Sequence, residues 1–458
     1  MLSFDAMSYL YNLNPWWTYP SYTIPECAYP RRNAFAVIRN QLSLNLLISI
    51  TGLRRTGKTT ILKQLIADLL STSEIASKSV MFFSFDQLLV NRNADLLTEI
   101  IDIYLERVVG KKIWELDSTV YIFLDEVQYV TDWQTVLKRY YDQTKKIKFL
   151  ISGSASLQVR EKAKESLAGR ILTTDIGVLN FREYLRLRNS GIEIPAFSLE
   201  QCEVKGIAEI QASYSGKING LFEDFLIRGQ FPEVVTMGMS DEQAKQYIID
   251  SVLMKILEID IPTYFEVKRS EEIKNIFRIA AVETGNMVEF GTIARDVGIS
   301  RNTVASYYLC MEKAFLMNLL YNFTRSARKQ LRTMKKCYVA STNFSAMVSG
   351  MLPSISISSE VLGHYAETYA HNVLRGQFPA LHFIRHREKE IDFIVPASGG
   401  NMLMEVKYSQ RIDKHVIKNL LHFMNYFHVR QGIILTKDSV SRADYNQGEL
   451  CNIPVWAL

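Results

Sequence analysis

The octapeptide Gly52-Leu53-Arg54-Arg55-Thr56-Gly57-Lys58-Thr59 fits the pattern G-x-x-x-x-G-K-[ST]. A loop of this kind can hold the phosphates of a nucleoside triphosphate. Its backbone N–H groups and the positive end of the following helix dipole surround the phosphates. The lysine reaches the β- and γ-phosphates, and the hydroxyl of Thr59 ligates Mg²⁺. Gly52, Arg55, Thr56, Gly57, Lys58, Thr59 and Thr60 are the expected binding residues, with ATP and Mg²⁺ as cofactors. A second set stands at Asp125 and Glu126, directly after the apolar run Val120–Leu124. Asp125 is expected to hold Mg²⁺ through water, and Glu126 to polarise the attacking water. The run that ends at Ser152-Gly153-Ser154 can place a hydroxyl beside the γ-phosphate. Ser154 is the expected residue and Ser152 the alternative. Arg170, after Leu167-Ala168-Gly169, can stabilise transition-state charge on its own nucleotide or on a neighbouring subunit's; the plainer reading is a salt-bridged surface arginine.

A different constellation lies near the C-terminus. Residues Glu390–Val395, a turn at 396–400 and Met404-Glu405-Val406-Lys407 read as a hairpin. On a strand, residues i and i+2 share a face, so Glu405 and Lys407 point together while Val406 enters the core. Asp392 would lie across from them, and a helix through Gly363–Glu367 can bring Glu367 to the same spot. Three carboxylates and one lysine suit a site for Mg²⁺ or Mn²⁺, with Lys407 positioning water or stabilising a phosphorane-like state. The alternative is a strand with a charged, solvated face.

The elements needed to position these groups can be read from the pattern. Apolar runs at Asn45–Thr51, Val80–Phe85, Val120–Leu124 and Phe149–Ser152 alternate with helix-patterned stretches at Thr60–Leu70, Asp95–Val109 and Trp133–Asp142. That alternation implies a parallel sheet buried on both faces. The pattern turns helical from Asn180 to about Asn322, and strands return around Pro379–Pro396 and Asn401–Tyr408, with Ser354–Ser359 as a linker. Within the helical part, Glu289–Val304 reads as helix, glycine turn and a second helix capped by Ser300. Arg301, Asn302 and Thr303 would stand at the end that reads base edges in DNA-binding versions. The segment Thr324–Lys336 carries six basic residues and no acid. It can act as a wing on phosphates, or be a solvated face of a lid against the nucleotide domain.

Composition limits the alternatives. A chain of 458 residues exceeds one core; 48% hydrophobic and 22% charged residues are those of an ordinary folded protein. A net charge of +5 permits a nucleic-acid partner without demanding one. The five cysteines form no CxxC pair, which argues against a zinc site or disulfide framework. No apolar run is long enough for a membrane span, and the N-terminus lacks a signal-peptide pattern, so a cytoplasmic location is expected. The first thirty residues are rich in aromatics and proline. An arm packed on its own domain is the plain reading, and a partner-binding arm the alternative.

The stretches GLRRTGKTT, FLDEVQ, ISGSAS, SLAGR, FREYL and EIDF…MEVKYS follow one another from about Arg31 to the end. In that order the chain resembles a prokaryotic family of AAA-type P-loop ATPases that join an ATP-binding domain and a winged-helix segment to a C-terminal PD-(D/E)xK nuclease-like domain of unassigned function. The resemblance implies an α/β fold: a RecA/AAA-like parallel sheet, a helical lid with a winged helix, and a C-terminal α/β domain. It places the arm at 1–30, the ATPase domain at 31–180, the lid and winged helix at 181–340 and the nuclease-like domain at 341–458. It gives Lys58, Thr59, Asp125 and Glu126 the ATP and magnesium roles, and puts Glu367, Asp392, Glu405 and Lys407 on the nuclease-like signature. The chain departs from the family in its aromatic arm and in Thr333–Phe344, where relatives more often carry an acidic residue after the strand. The expected activity is slow Mg²⁺-dependent ATP hydrolysis whose nucleotide state gates the winged-helix and nuclease-like module on DNA, in a monomer or homo-oligomer. The rival readings are a STAND-like signalling or scaffold ATPase whose C-terminal domain binds a partner without catalysis, and a DNA translocase.

Overall fold

The computed structural model describes residues 6–86, 92–154, 167–265, 267, 269–324, 326, 328, 333–352, 357–397, 400–446 and 448–458. The chain forms two units, Met1–Gly177 and Val178–Leu458. In the first, the apolar runs become five strands: β1 (Leu47–Thr51), β2 (Val80–Ser84), β3 (Val120–Asp125), β4 (Ile147–Gly153) and β5 (Ile171–Asp175). Their order is β2-β3-β4-β1-β5 and every pairing is parallel. All five residues of β1 are buried, as a strand covered on both faces requires. Helices α3 (Lys58–Leu70), α4 (Ala94–Ile103) and α5 (Trp133–Gln143) bring the chain back between parallel strands. The placement of β4 between β1 and β3 sets the phosphate loop, the acidic pair and the Ser152–Ser154 tip at one end of the sheet.

The aromatic arm is part of this unit's core. Helix α1 (Ala6–Leu13) leads to Trp16 and Trp17, both buried with Leu10 and Ile24. Strand β2 is the sheet's edge, and its outward backbone groups need partners. Both indole N–H groups donate to the Val80 carbonyl, at 3.0 and 2.8 Å. The Asn14 side-chain amide donates to the Phe82 carbonyl at 2.9 Å and accepts from the Phe82 N–H at 2.6 Å. One side chain thereby supplies both bonds that a neighbouring strand would make.

In the second unit, helix Lys205–Arg228 places Phe222 and Phe225 against Tyr369 of helix Ser359–Gln377, with ring centroids 5.4 Å apart in both pairs. Helix Ser270–Val282, β6 (Met287–Val288), helices Phe290–Val297 and Arg301–Lys313, β7 (Met317–Tyr321) and β8 (Lys335–Val339) follow in order. The three strands pair antiparallel as β6-β8-β7. Between the two helices, Gly298 takes a left-handed φ of 74°, and the Ser300 hydroxyl accepts the Thr303 N–H at 3.1 Å. Of the basic segment, Arg325, Lys329 and Arg332 lie outside the described residues; so do Ser354–Ser356 of the expected linker.

The C-terminal sheet has β9 (His382–His386), β10 (Lys389–Ala397), β11 (Gly400–Lys407), β12 (Gln431–Thr436), β13 (Ser441–Tyr445) and β14 (Gly448–Pro454) in the order β13-β14-β12-β11-β10-β9. Phe393, Met402 and Met404 face helix Ser359–Gln377, while Ile394, Leu403 and Ile434 face helix Lys414–Phe427. The first of these cores also takes in Phe181, Phe222 and Tyr338, so the boundary expected at 340/341 runs through one continuous core. In the segment after β8, Ser341, Thr342 and Asn343 are fully buried. They bond Gln230, and Asn343 and Thr342 take the carbonyls that end helix Lys205–Arg228. Among the described residues, no helix is long and apolar enough to cross a membrane.

Replacing Asn14 by Leu leaves the Phe82 N–H and carbonyl buried without partners. Urea denaturation is expected to show a loss of about 2–4 kcal/mol. Tyr19→Ala, at an exposed arm residue, is expected to change stability by under about 0.5 kcal/mol.

Candidate functional site

The phosphate loop runs from the end of β1 into α3. Gly52 has φ 144°, and a Cβ there would lie 2.1 Å from the Ile176 carbonyl oxygen, so only glycine fits. Gly57 (φ 88°) and Arg55 (φ 63°) also take left-handed conformations, which turn the backbone into a concave loop. Lys58 is buried and donates to the carbonyls of Gly52 at 3.1 Å and Leu53 at 2.7 Å. Its ammonium lies inside the loop, where phosphate oxygens can exchange for these carbonyls. Thr56 is buried with its hydroxyl on the Leu53 carbonyl, while Thr59 is exposed and Thr60 half-buried in the first turn of α3. Arg32 was not foreseen in the sequence. Its guanidinium donates to the carbonyls of Thr56 at 2.7 Å and Gly177 at 2.8 Å, so it holds the loop in shape from outside.

At the tip of β3, Asp125 Oδ2 accepts the Thr59 hydroxyl at 2.9 Å. A hydroxyl and a carboxylate in contact at the base of a phosphate loop are the oxygen donors Mg²⁺ takes, so these residues fit that ion. Burial, then the neighbouring Glu126, pushes the Asp125 carboxyl up to about 6, against the hydrogen bonds from Ser152 and Thr59 and the charge of Lys58. Glu126 has φ 54°, a strained value for a residue with a side chain. Its carboxylate accepts from Ser154 Oγ at 3.2 Å and from the Gln128 amide. Ser152 Oγ donates to Asp125 and accepts the Glu126 N–H at 3.3 Å. The two serines thus take one acid each: Ser152 bonds Asp125 and Ser154 bonds Glu126. Gln128 is a second unforeseen residue; its signal was its place two residues after Glu126.

Arg170 is not brought to this site. It precedes β5 beside Leu47 at the start of β1, the far end of the strand from the loop, and pairs with Asp142 at 3.0 Å. Its own-subunit role is thereby excluded by position.

The C-terminal carboxylates do gather, but around an unexpected partner. Lys336 of β8 is buried, and its Nζ lies 3.0 Å from Glu367 Oε1, 2.7 Å from Glu390 Oε1 and 3.2 Å from Asp392 Oδ1. Tyr338, two residues along the same strand, donates to Glu367 at 2.6 Å. Asp392 Oδ2 accepts the Val406 N–H at 2.9 Å, and Lys407 stands 3.6 Å from Glu405. The register of β10 shifts between Ile391 and Ile394, and this irregularity aims Asp392 into the cluster. Burial opposes the charge on Lys336, yet Tyr338, Asp392, Glu367 and Glu390 hold it protonated well above the ordinary lysine value. Burial and Asp392 push the Glu405 carboxyl up, with Lys407 opposing. Among the described residues, no three His, Cys, Asp or Glu side chains are arranged to hold a metal ion. The expected metal set of Glu367, Asp392 and Glu405 therefore does not fit a divalent ion here, because an ammonium stands among its oxygens. Lys336 is also lost to the basic segment as a phosphate contact.

The raised Asp125 carboxyl has a consequence for stability. Its folded value lies above the unfolded one, so the ionised form burdens the fold and stability falls as pH rises from about 4 through about 6. In nucleotide-free, metal-free protein, Asp125→Asn is expected to raise the thermal midpoint at pH 8, by up to about 3 kcal/mol of stability, and hardly at pH 4. Equal shifts at both pH values would contradict this.

A family described as an AAA domain matches residues 45–185. Two domains of unknown function, DUF8612 and DUF4143, match residues 219–354 and 362–456. An uncharacterised protein of Methanocaldococcus jannaschii is 26% identical over 368 residues, covering 78% of this chain and 74% of its own. One of Haemophilus influenzae is 22% identical over 427 residues, covering 89% and 93%. Among solved structures, the Walker-type ATPase of Pyrococcus abyssi is 13% identical with a TM-score of 0.44, covering 71% of this chain and 97% of its own. The Aeropyrum pernix Orc1 protein, solved in complex with DNA, is 12% identical with a TM-score of 0.27, covering 73% and 96%. Both scores fall below one half, so the assignment rests on the sequence match together with the loop, the acidic tip and the parallel sheet. On that footing, residues 45–185 match an AAA domain and fold as a parallel α/β sheet with a phosphate loop leading into helix α3.

Proposed function

We propose that this chain is an ATP-driven switch: its first unit binds and slowly hydrolyses Mg²⁺-ATP, and the nucleotide state controls DNA binding by the second. The observation that carries the reading is the contact of Thr59 with Asp125, next to a Glu126 held by Ser154 and Gln128. Lys58 would exchange the carbonyls of Gly52 and Leu53 for β- and γ-phosphate oxygens. Bound Mg²⁺, on Thr59 and through water on Asp125, would neutralise charge on the phosphates. Glu126 would take the proton of the attacking water, and Ser154 would orient that water. Slow turnover is consistent with the bonds on Glu126: Ser154 and Gln128 both donate to its Oε2, which lowers the basicity of the carboxylate.

For the second unit, the order helix, strand, two helices and two strands, with the sheet β6-β8-β7, supports a winged-helix reading. Arg301 and Asn302 are exposed at the N-terminus of helix Arg301–Lys313, available to base edges. The ammonium among the C-terminal carboxylates favours a domain that recognises without cutting, which joins the DNA reading to the scaffold one. Mn²⁺-dependent cleavage and translocation have no such support.

ATP turnover and fluorescence-detected binding of duplex, single-stranded and branched DNA test this reading. Lys58→Ala is expected to abolish ATP binding. Glu126→Gln should keep binding and lose turnover by about 10²-fold or more. Arg301→Ala with Asn302→Ala should weaken duplex binding about tenfold or more while turnover stays. A wild-type chain that binds no DNA in any nucleotide state would remove the DNA half of the proposal and leave a protein partner as its output.

A further inference from the structure

We infer that the carboxylate cluster of the C-terminal sheet is the socket of Lys336 and not a metal centre, and that a divalent cation can enter only if this lysine leaves. A lysine ammonium has three N–H donors. Here three separate carboxylates lie within 3.2 Å of Nζ: it donates to Glu367 and Asp392 and pairs with Glu390 at 2.7 Å. The ammonium therefore stands where the oxygens converge. A Mg²⁺ or Mn²⁺ ion, which gathers oxygens at about 2.0–2.2 Å, would need that same position.

The lysine is delivered from a rigid place. Strand β8 is the middle strand of its sheet, and Lys336 is paired with Met287 on one side and Leu320 on the other. Tyr338, on the same face of β8, holds the Glu367 carboxylate from a second direction at 2.6 Å. Most of the acid charge is already answered: the four carboxylates of Glu367, Glu390, Asp392 and Glu405 meet Lys336 and Lys407, with Arg385 as a third cation 3.7 Å from Glu390. The contact joins the three-stranded sheet to the C-terminal sheet by an ionic plug. The inference concerns the second unit alone and does not depend on ATP or DNA binding.

The test is Mn²⁺ binding followed by electron paramagnetic resonance, in the full-length chain without nucleotide. All proteins carry Asp125→Asn, so the phosphate-loop site is silent. The parent is expected to bind no Mn²⁺ at protein-equivalent concentration. Lys336→Met is expected to bind a single Mn²⁺, an affinity gain of about tenfold or more, which adding Asp392→Asn removes. If Lys336→Met does not fold, Lys336→Met with Glu390→Gln removes one charge of each sign, keeps Glu367, Asp392 and Glu405, and is read the same way. A parent that binds Mn²⁺ stoichiometrically and loses it in Asp392→Asn or Glu405→Gln overturns the inference. A folded lysine-free variant that binds none overturns it equally, since the socket would then be no cation site at all.

Discussion

Lys58 and Lys336 are both almost wholly withdrawn from water, and an ammonium survives there only if its N–H groups find oxygens. Much of the architecture serves that requirement. Around Lys58 the oxygens are main-chain carbonyls, turned inward because Gly52, Arg55 and Gly57 take conformations that ordinary turns avoid. Around Lys336 they are side-chain carboxylates, collected from a helix and a strand far away in sequence. Carbonyls are neutral and can be exchanged for phosphate. Three carboxylates bind a lysine far more firmly, because removing it leaves like charges facing one another in a poorly hydrated place. The same side chain is poised to be released in one unit and locked in the other.

The parallel sheet of the first unit depends on a solution to its edge. Strand β2 has no neighbouring strand on its outer side, yet Trp16, Trp17 and Asn14 satisfy its backbone. The N-terminal arm is thus structural, and its aromatic and proline content follows from this duty: prolines keep it from becoming a strand, and the indoles supply donors together with apolar bulk.

The phosphate loop and the acidic strand tip were legible in the sequence because each is carried by adjacent residues in a fixed local order. So were β1 to β4, whose observed bounds differ from the apolar runs by a residue or two, whereas β5 to β7 and β12 to β14 were not foreseen. Arg32 and Lys336 were harder to see for a shared reason. Each acts through partners that the fold, and not the local pattern, brings near; Lys336 meets Glu367 and Asp392 from 31 and 56 residues away. A basic run looks solvated in sequence, and nothing local announces that its last member is buried. Hairpin geometry put Asp392 beside Glu405 and a helix through Gly363–Glu367 added Glu367, but a metal was expected among them because only Lys407 was visible beside them. Arg170 illustrates the opposite limit: a short glycine loop gives no information on which end of a parallel sheet it occupies.

Gly52 has one more consequence. Its α-carbon backs directly onto the carbonyl of Ile176, whose N–H is bonded to Thr51 at 2.7 Å, and Arg32 ties the same loop to Gly177. The wall of the phosphate pocket is therefore also the last stretch of chain before the second unit begins. The two backbones meet directly at Gly52 and Ile176. A side chain at position 52 would therefore push on the exit segment itself, so the glycine keeps loop and exit backbone in direct contact.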